Sequence, residues 1–215
     1  MKVICELSGG ADSALAAIYA KRKYPDAEFH CLFVDYYQDY VWEEAGASHD
    51  MAVKIFGDKA KWHNVAVGNL FTDMEEAQPE NVAKEYCPLR NLVISAIAAS
   101  LAVKLGAEVI VNGSKSLSRV PTDPYSFRDS TLPFYKLMEA AVNGGIEKGH
   151  ILIDPILADG RDRKMMKAHV YRELLEEGIQ PDETWSCYYP TNGEPCGKCR
   201  NCLEKRDILV ELVRE

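Results

Sequence analysis

Apolar residues along this chain gather in five short runs, at 2–7, 28–36, 61–67, 108–112 and 150–153, each of strand length and several rich in Val and Ile. Between them lie longer stretches of helical character, at 13–23, 40–56, 91–105, 137–143 and 162–177. Strands that alternate with crossover helices predict an α/β fold, a doubly wound, mostly parallel sheet with helices on both faces and ligands at the carboxyl ends of the strands. The stretch 91–105 is almost wholly apolar and is expected to be buried against the sheet.

The first strand runs into Ser8-Gly9-Gly10-Ala11-Asp12-Ser13, directly before a helical segment. Two glycines remove the Cβ atoms that would keep an anion off the backbone, and the helix aims its unpaired N–H groups at the same point. Ser8 and Ser13 add hydroxyl donors, and Asp12 offers a carboxylate for Mg²⁺ bridging phosphate oxygens. The loop therefore reads as a pyrophosphate cradle. The competing reading is a plain strand-to-helix turn in which Ser8, Asp12 or Ser13 only caps the helix.

Four thiols fall within sixteen residues near the other end, at Cys187, Cys196, Cys199 and Cys202. Two-residue spacing, with Gly193, Pro195 and Gly197 to turn the chain back, suits a closed tetrahedral Zn²⁺ site of structural type. Disulfides or a redox pair are the alternatives. No stretch near Met1 has the character of a signal peptide, so a reducing cytoplasm is expected and disulfides are disfavoured. Cys5 and Cys31 lie in apolar strands and read as core, while Cys87 has no ligand-like spacing.

With 215 residues and 47% hydrophobic content, the chain has material for one globular domain, alone or with a small appendage. No apolar run is long enough to cross a bilayer. A formal net charge of −8 argues against a broad nucleic-acid footprint, so a small anionic substrate needs a locally basic pocket. The five histidines form no metal-ligand pair and receive no role.

The hexapeptide resembles the SGGxDS loop of the PP-loop ATP pyrophosphatases, whose fold is Rossmann-like (adenine nucleotide alpha hydrolase-like). Together with Thr184-Trp185-Ser186-Cys187-Tyr188 and the Cys-Gly-x-Cys-x-x-Cys run, the chain resembles the 7-cyano-7-deazaguanine synthases of queuosine precursor synthesis. Asp35-Tyr36-Tyr37-Gln38, Cys87-Pro88-Leu89-Arg90-Asn91 and Asp154-Pro155-Ile156 leading to Lys164 resemble further segments of that family. Tyr37 and Leu89 stand where the family has glycine, and bulky side chains there are expected to fill space or redirect the backbone. The stretch Phe127-Arg128-Asp129-Ser130-Thr131 keeps the family's Asp but moves its basic residue.

The resemblance implies an ATP-dependent carbon–nitrogen ligase that adenylates 7-carboxy-7-deazaguanine and uses ammonia to form the nitrile by way of the amide. A variant that stops at the amide, a PP-loop tRNA sulfurtransferase and a non-enzymatic zinc-bearing module are the other readings. On the family pattern, residues 1–183 form the PP-loop domain and 184–215 a zinc segment packed on it. Residues 8–13 would hold ATP, with Asp12, Arg90 and Lys164 catalytic and Tyr36, Gln38, Arg90 and Asp129 around the substrate. Tyr37, Tyr40 and Trp42 are candidates either to stack on a purine-like ring or to serve as core and subunit contacts. Partners are expected to be small molecules, with no nucleic acid and no membrane; a homodimer is one candidate assembly, and the sequence does not decide the oligomeric state.

Overall fold

The computed structural model describes residues 1–68, 89–115, 128–158 and 167–214. Five parallel strands form one sheet in the order β3-β2-β1-β4-β5, with β1 Lys2–Glu6, β2 Glu28–Asp35, β3 Lys61–Ala66, β4 Val109–Val111 and β5 Leu152–Asp154. Every pairing is parallel, including Cys5 opposite both Cys31 and Val111. Helices α1 Ala11–Lys23, α2 Val41–Phe56, α3 Arg90–Leu105, α4 Leu132–Gly145, α5 Lys167–Glu176 and α6 Arg200–Arg214 cover the two faces. The expected all-round architecture holds, and the five expected runs each lie on a strand.

Strand alternation splits the core. Val3, Cys5 and Leu7 face α1, α2, α5 and α6, whereas Ile4 faces α3 and α4 with Leu32, Ile110 and Tyr135. Because β1 is central and covered on both faces, Val3 and Ile4 are wholly buried, each stabilising by roughly 2 kcal/mol through removal from water. Cys5 and Cys31 are core residues, as their apolar setting predicts.

Three helical expectations need correction. The fourth helix begins at Leu132, not at 137, because Thr131 caps it by accepting from the Phe134 N–H at 3.4 Å and Pro133 occupies its first turn. The terminal helix α6, which lies outside the helical stretches expected from sequence, begins right after Cys199 and carries Cys202 in its first turn, packing Ile208, Leu209 and Leu212 against the α1/α5 face. Helix α3 is buried only along Ser95, Ala98, Ala99 and Ala102, while Val103 on its far side is 55% exposed. Its run of apolar residues exceeds what one sheet face can cover.

Tyr37 and Leu89 have φ of 65° and 57°, in the left-handed region that favours glycine, so the backbone keeps the glycine conformation in spite of the side chains. Both side chains point largely to solvent, which overturns the expectation that they fill the pocket. At the carboxyl end of β4, Gly113 lies so close to α1 that a Cβ would stand 2.8 Å from the Asp12 carbonyl and the Ser13 nitrogen. Gly113→Ala is therefore expected to cost about 1–3 kcal/mol in a urea titration, since backbone must separate from backbone. Parental stability in that variant would contradict this close approach.

Candidate active site and metal centre

The loop between β1 and α1 is shaped by its glycines. Gly9 has φ 81°, and a Cβ there would meet the Glu44 carbonyl at 2.6 Å and Ser48 N at 3.0 Å, so α2 packs directly on it. Gly10 caps α1 without a side-chain hydrogen bond, leaving the helix start open to a ligand. The Ser13 hydroxyl donates to the Gly10 carbonyl at 2.9 Å, accepts from Ser8 N at 3.2 Å and lies 3.1 Å from the Ser8 hydroxyl. These bonds fix the turn with its polar atoms gathered on one side. Ser8, Gly10, Ala11, Asp12 and Ser13 line a cavity of about 330 Å³, while the Gly9 carbonyl is engaged elsewhere.

Asp12 is bound at both oxygens by lysines. Lys167 Nζ, from the start of α5, donates to Oδ2 at 2.6 Å, and the buried Lys115 Nζ, from the loop after β4, lies 3.0 Å from Oδ1. Burial pushes the Asp12 carboxyl up, but the two ammonium groups more than reverse this and hold it below its usual range. A carboxylate so occupied fits an anchor for two cations better than an open Mg²⁺ ligand. Lys164, the lysine expected from sequence, lies outside the described residues, as do Cys87 and Pro88.

Across the cavity, Arg90 at the start of α3 donates to the Tyr36 hydroxyl at 3.3 Å and stacks over its ring at 5.9 Å. Tyr188 and Glu44 complete this wall. Burial pushes Glu44 up to about 7, and Gln38 Nε2 donates to its Oε2 at 3.0 Å. Gln38 also accepts from Tyr36 N, so it braces the wall and does not line the cavity. Asp129 likewise stands behind it, accepting from Asn91 N at 3.1 Å and thereby capping α3. Tyr40 packs on Tyr188 with ring centres 5.1 Å apart, and Trp42 is largely exposed.

Sequence reasoning missed Glu6, Asn112, Lys115, Lys167 and Tyr188. No sequence signal sets Lys167 apart from Lys164 in the same predicted helical stretch, and Glu6 looks from sequence like the edge of an apolar run.

The thiols of Cys187, Cys196, Cys199 and Cys202 all lie within 4.8 Å of one another. Cys187 Sγ accepts N–H bonds from Cys196 and Tyr189 at 3.3 and 3.4 Å, and Cys196 Sγ accepts from Cys199 N at 3.3 Å. Such bonds offset thiolate charge, and the donor set fits a closed tetrahedral metal site. The cluster is tied to the loop at the other end of the chain: Trp185 N donates to the Gly9 carbonyl at 2.9 Å, and the Trp185 ring N–H to the Cys187 carbonyl at 2.8 Å. Among the described residues no helix is long and apolar enough to cross a membrane.

Known proteins share both the sequence pattern and the architecture. A solved 4-thiouridine synthetase, crystallised as an RNA complex with bound ATP, superposes with a TM-score of 0.53 at 17% identity, covering 97% of this chain and 51% of that one, which is a likeness of fold. A 7-cyano-7-deazaguanine synthase of Campylobacter curvus is 31% identical over 94% of this chain and 89% of its own length. The protein of that name from Thermoplasma acidophilum is 31% identical over 100% of this chain and 90% of its own. The family model described as "Queuosine biosynthesis protein QueC" matches residues 2–212, and the chain belongs to that family.

Proposed function

We propose that this chain converts 7-carboxy-7-deazaguanine to 7-cyano-7-deazaguanine, consuming ammonia and two ATP. The observation that carries the reading is one cavity in which the serine- and glycine-lined loop faces the half-buried Arg90–Tyr36 wall. One side is built for phosphate, and the other offers a guanidinium and aromatic surface to an anionic ring substrate. The likeness to named synthases over nearly the whole chain supports the same reading.

A carboxylate resists amine attack because oxide is a poor leaving group. In the proposed reaction its oxygen attacks the α-phosphorus of ATP and pyrophosphate leaves. Ammonia then forms the C–N bond as the C–O bond to AMP breaks. The amide oxygen attacks a second ATP, and loss of its remaining N–H protons with departure of AMP leaves the nitrile. Ser8 and Ser13 orient the phosphates by hydrogen bonds, and Lys115 and Lys167, anchored on Asp12, balance the charge that builds on pyrophosphate. Mg²⁺ bound with ATP would supply further charge neutralisation to the leaving pyrophosphate. Arg90 holds the substrate carboxylate, with Tyr36 fixing the guanidinium plane. The four cysteines hold one structural Zn²⁺, with no thiolate position left for water.

Product analysis by mass spectrometry tests the chemistry: two AMP and two pyrophosphate are expected per nitrile, and ADP as the main nucleotide would refute it. Since Tyr37 and Leu89 point away from the cavity, Tyr37→Gly and Leu89→Gly are expected to leave the product unchanged, and accumulation of the amide in either would show that they shape the site.

Asp12→Asn should lower stability by about 3 kcal/mol, because it removes the negative charge 3.0 Å from the enclosed Lys115 ammonium, and should abolish turnover. A variant of parental stability would show that the lysines do not depend on Asp12.

Metal analysis should find about one zinc per chain, and Cys196→Ser should lower both metal content and melting temperature. Folded, active protein without bound metal would refute the zinc site.

A further inference from the structure

Glu6 is a carboxylate that neither the phosphate loop nor the Arg90 wall employs. It ends β1, two residues before Ser8, and strand alternation turns it to the Ile4 face, under α3 and α4. It lines the same cavity as the loop. Its Oε1 accepts a hydrogen bond from the Ser95 hydroxyl of α3 at 3.0 Å, and among the described residues no cation pairs with it. Beside it in the cavity wall stand Asn112, whose buried Nδ2 has no hydrogen-bond partner among the described residues, and the Ser114 and Tyr135 hydroxyls, 2.6 Å apart. A half-buried carboxylate in the cavity wall costs free energy that an apolar residue at this place would not, and among the described residues it gains no ion pair in return.

We propose that Glu6 is the ammonium site of this enzyme: its carboxylate binds NH₄⁺ at the cavity floor and accepts one of its protons, releasing NH₃ beside the adenylated substrate. The assignment rests on the synthase reading above. The transfer breaks one N–H bond and forms the carboxyl O–H; the freed lone pair forms the C–N bond, AMP leaves with the C–O pair, and the surplus proton on nitrogen passes to water. The carboxyl then returns its own proton to water at the cavity mouth. Burial pushes Glu6 up to about 7, with Ser95 pulling the other way, so the group trades protons readily at neutral pH. The titratable groups that feel its charge are Tyr135 on α4 and Cys5, its neighbour on β1; α3 presents the neutral Ser95 and Asn91, and β4 leads to the neutral Asn112.

The test compares ammonium with hydroxylamine, which is already unprotonated at neutral pH and needs no base. In Glu6→Gln the ammonium-dependent rate should fall about a hundredfold, while hydroxamate formation from hydroxylamine changes by less than about threefold. Ser95→Ala removes the bond that lowers Glu6, so the acid limb of the ammonium pH–rate profile should move to higher pH. Equal loss with both nucleophiles, or a raised KM for the deazapurine with the ratio of rates preserved, would overturn the assignment; the second would make Glu6 a reader of the ring. Because burial raises Glu6, its charge costs folding stability from about pH 4.5 upward and in full above about pH 7, so Glu6→Gln should melt no lower than the parent at about pH 8. A lower melting temperature would mark Glu6 as structural and overturn the proposal. Exchange of pyrophosphate into ATP, driven by 7-carboxy-7-deazaguanine in the parent enzyme, separates the two readings. Its absence refutes the synthase and the ammonium site together, whereas exchange with an unchanged nucleophile ratio refutes Glu6 alone.

Discussion

Two ammonium groups on one carboxylate, Lys115 enclosed and Lys167 about one-third exposed, hold the loop end of the sheet together. Lys115 Nζ lies 3.0 Å from Asp12 Oδ1, which sets the carboxylate as a counter-charge beside an enclosed ammonium. The cluster joins three segments far apart in sequence: the first turn of α1, the loop after β4 and the start of α5. That junction explains why backbone approaches backbone at Gly113. A lysine on the β4 loop reaches Asp12 only if the loop itself lies against α1.

A second constraint works through Gly9. Its missing Cβ lets α2 touch the loop, and its carbonyl accepts from Trp185, so the helix that carries Glu44 and the segment that carries the cysteines both dock on one peptide unit. The terminal segment is thus part of the nucleotide site's framework. Helix α6 reinforces it: Lys205 donates to the Thr184 carbonyl and Asn201 to the Ser186 carbonyl, one on each side of Trp185.

Much of this was legible in the sequence, for identifiable reasons. Strands on a doubly covered sheet are continuous apolar runs, and β1 and β2 stand out as such; the loop and the cysteines carry residue types that few structural roles demand at that spacing. What stayed hidden depends on tertiary position. Lys167 and Lys115 differ from other lysines only in reaching Asp12. Helix α6 has no fully buried residue, so its apolar stripe is too thin to announce itself. Asp129 and Gln38 have the chemistry to touch a substrate, yet their hydrogen bonds are spent on Asn91, Tyr36 and Glu44. The left-handed backbone at Tyr37 and Leu89 shows the opposite case, a conformation that the residue type does not favour, at a cost of roughly 1–2 kcal/mol each.

Trp185 joins the thiol cluster to the loop, by its N–H on the Gly9 carbonyl and its ring N–H on the Cys187 carbonyl. If occupancy of one end alters the other through this contact, the coupling free energy is the same in both directions. Metal scarcity would then register as a weakened grip on nucleotide, and a chain saturated with nucleotide would surrender its metal more slowly to a chelator.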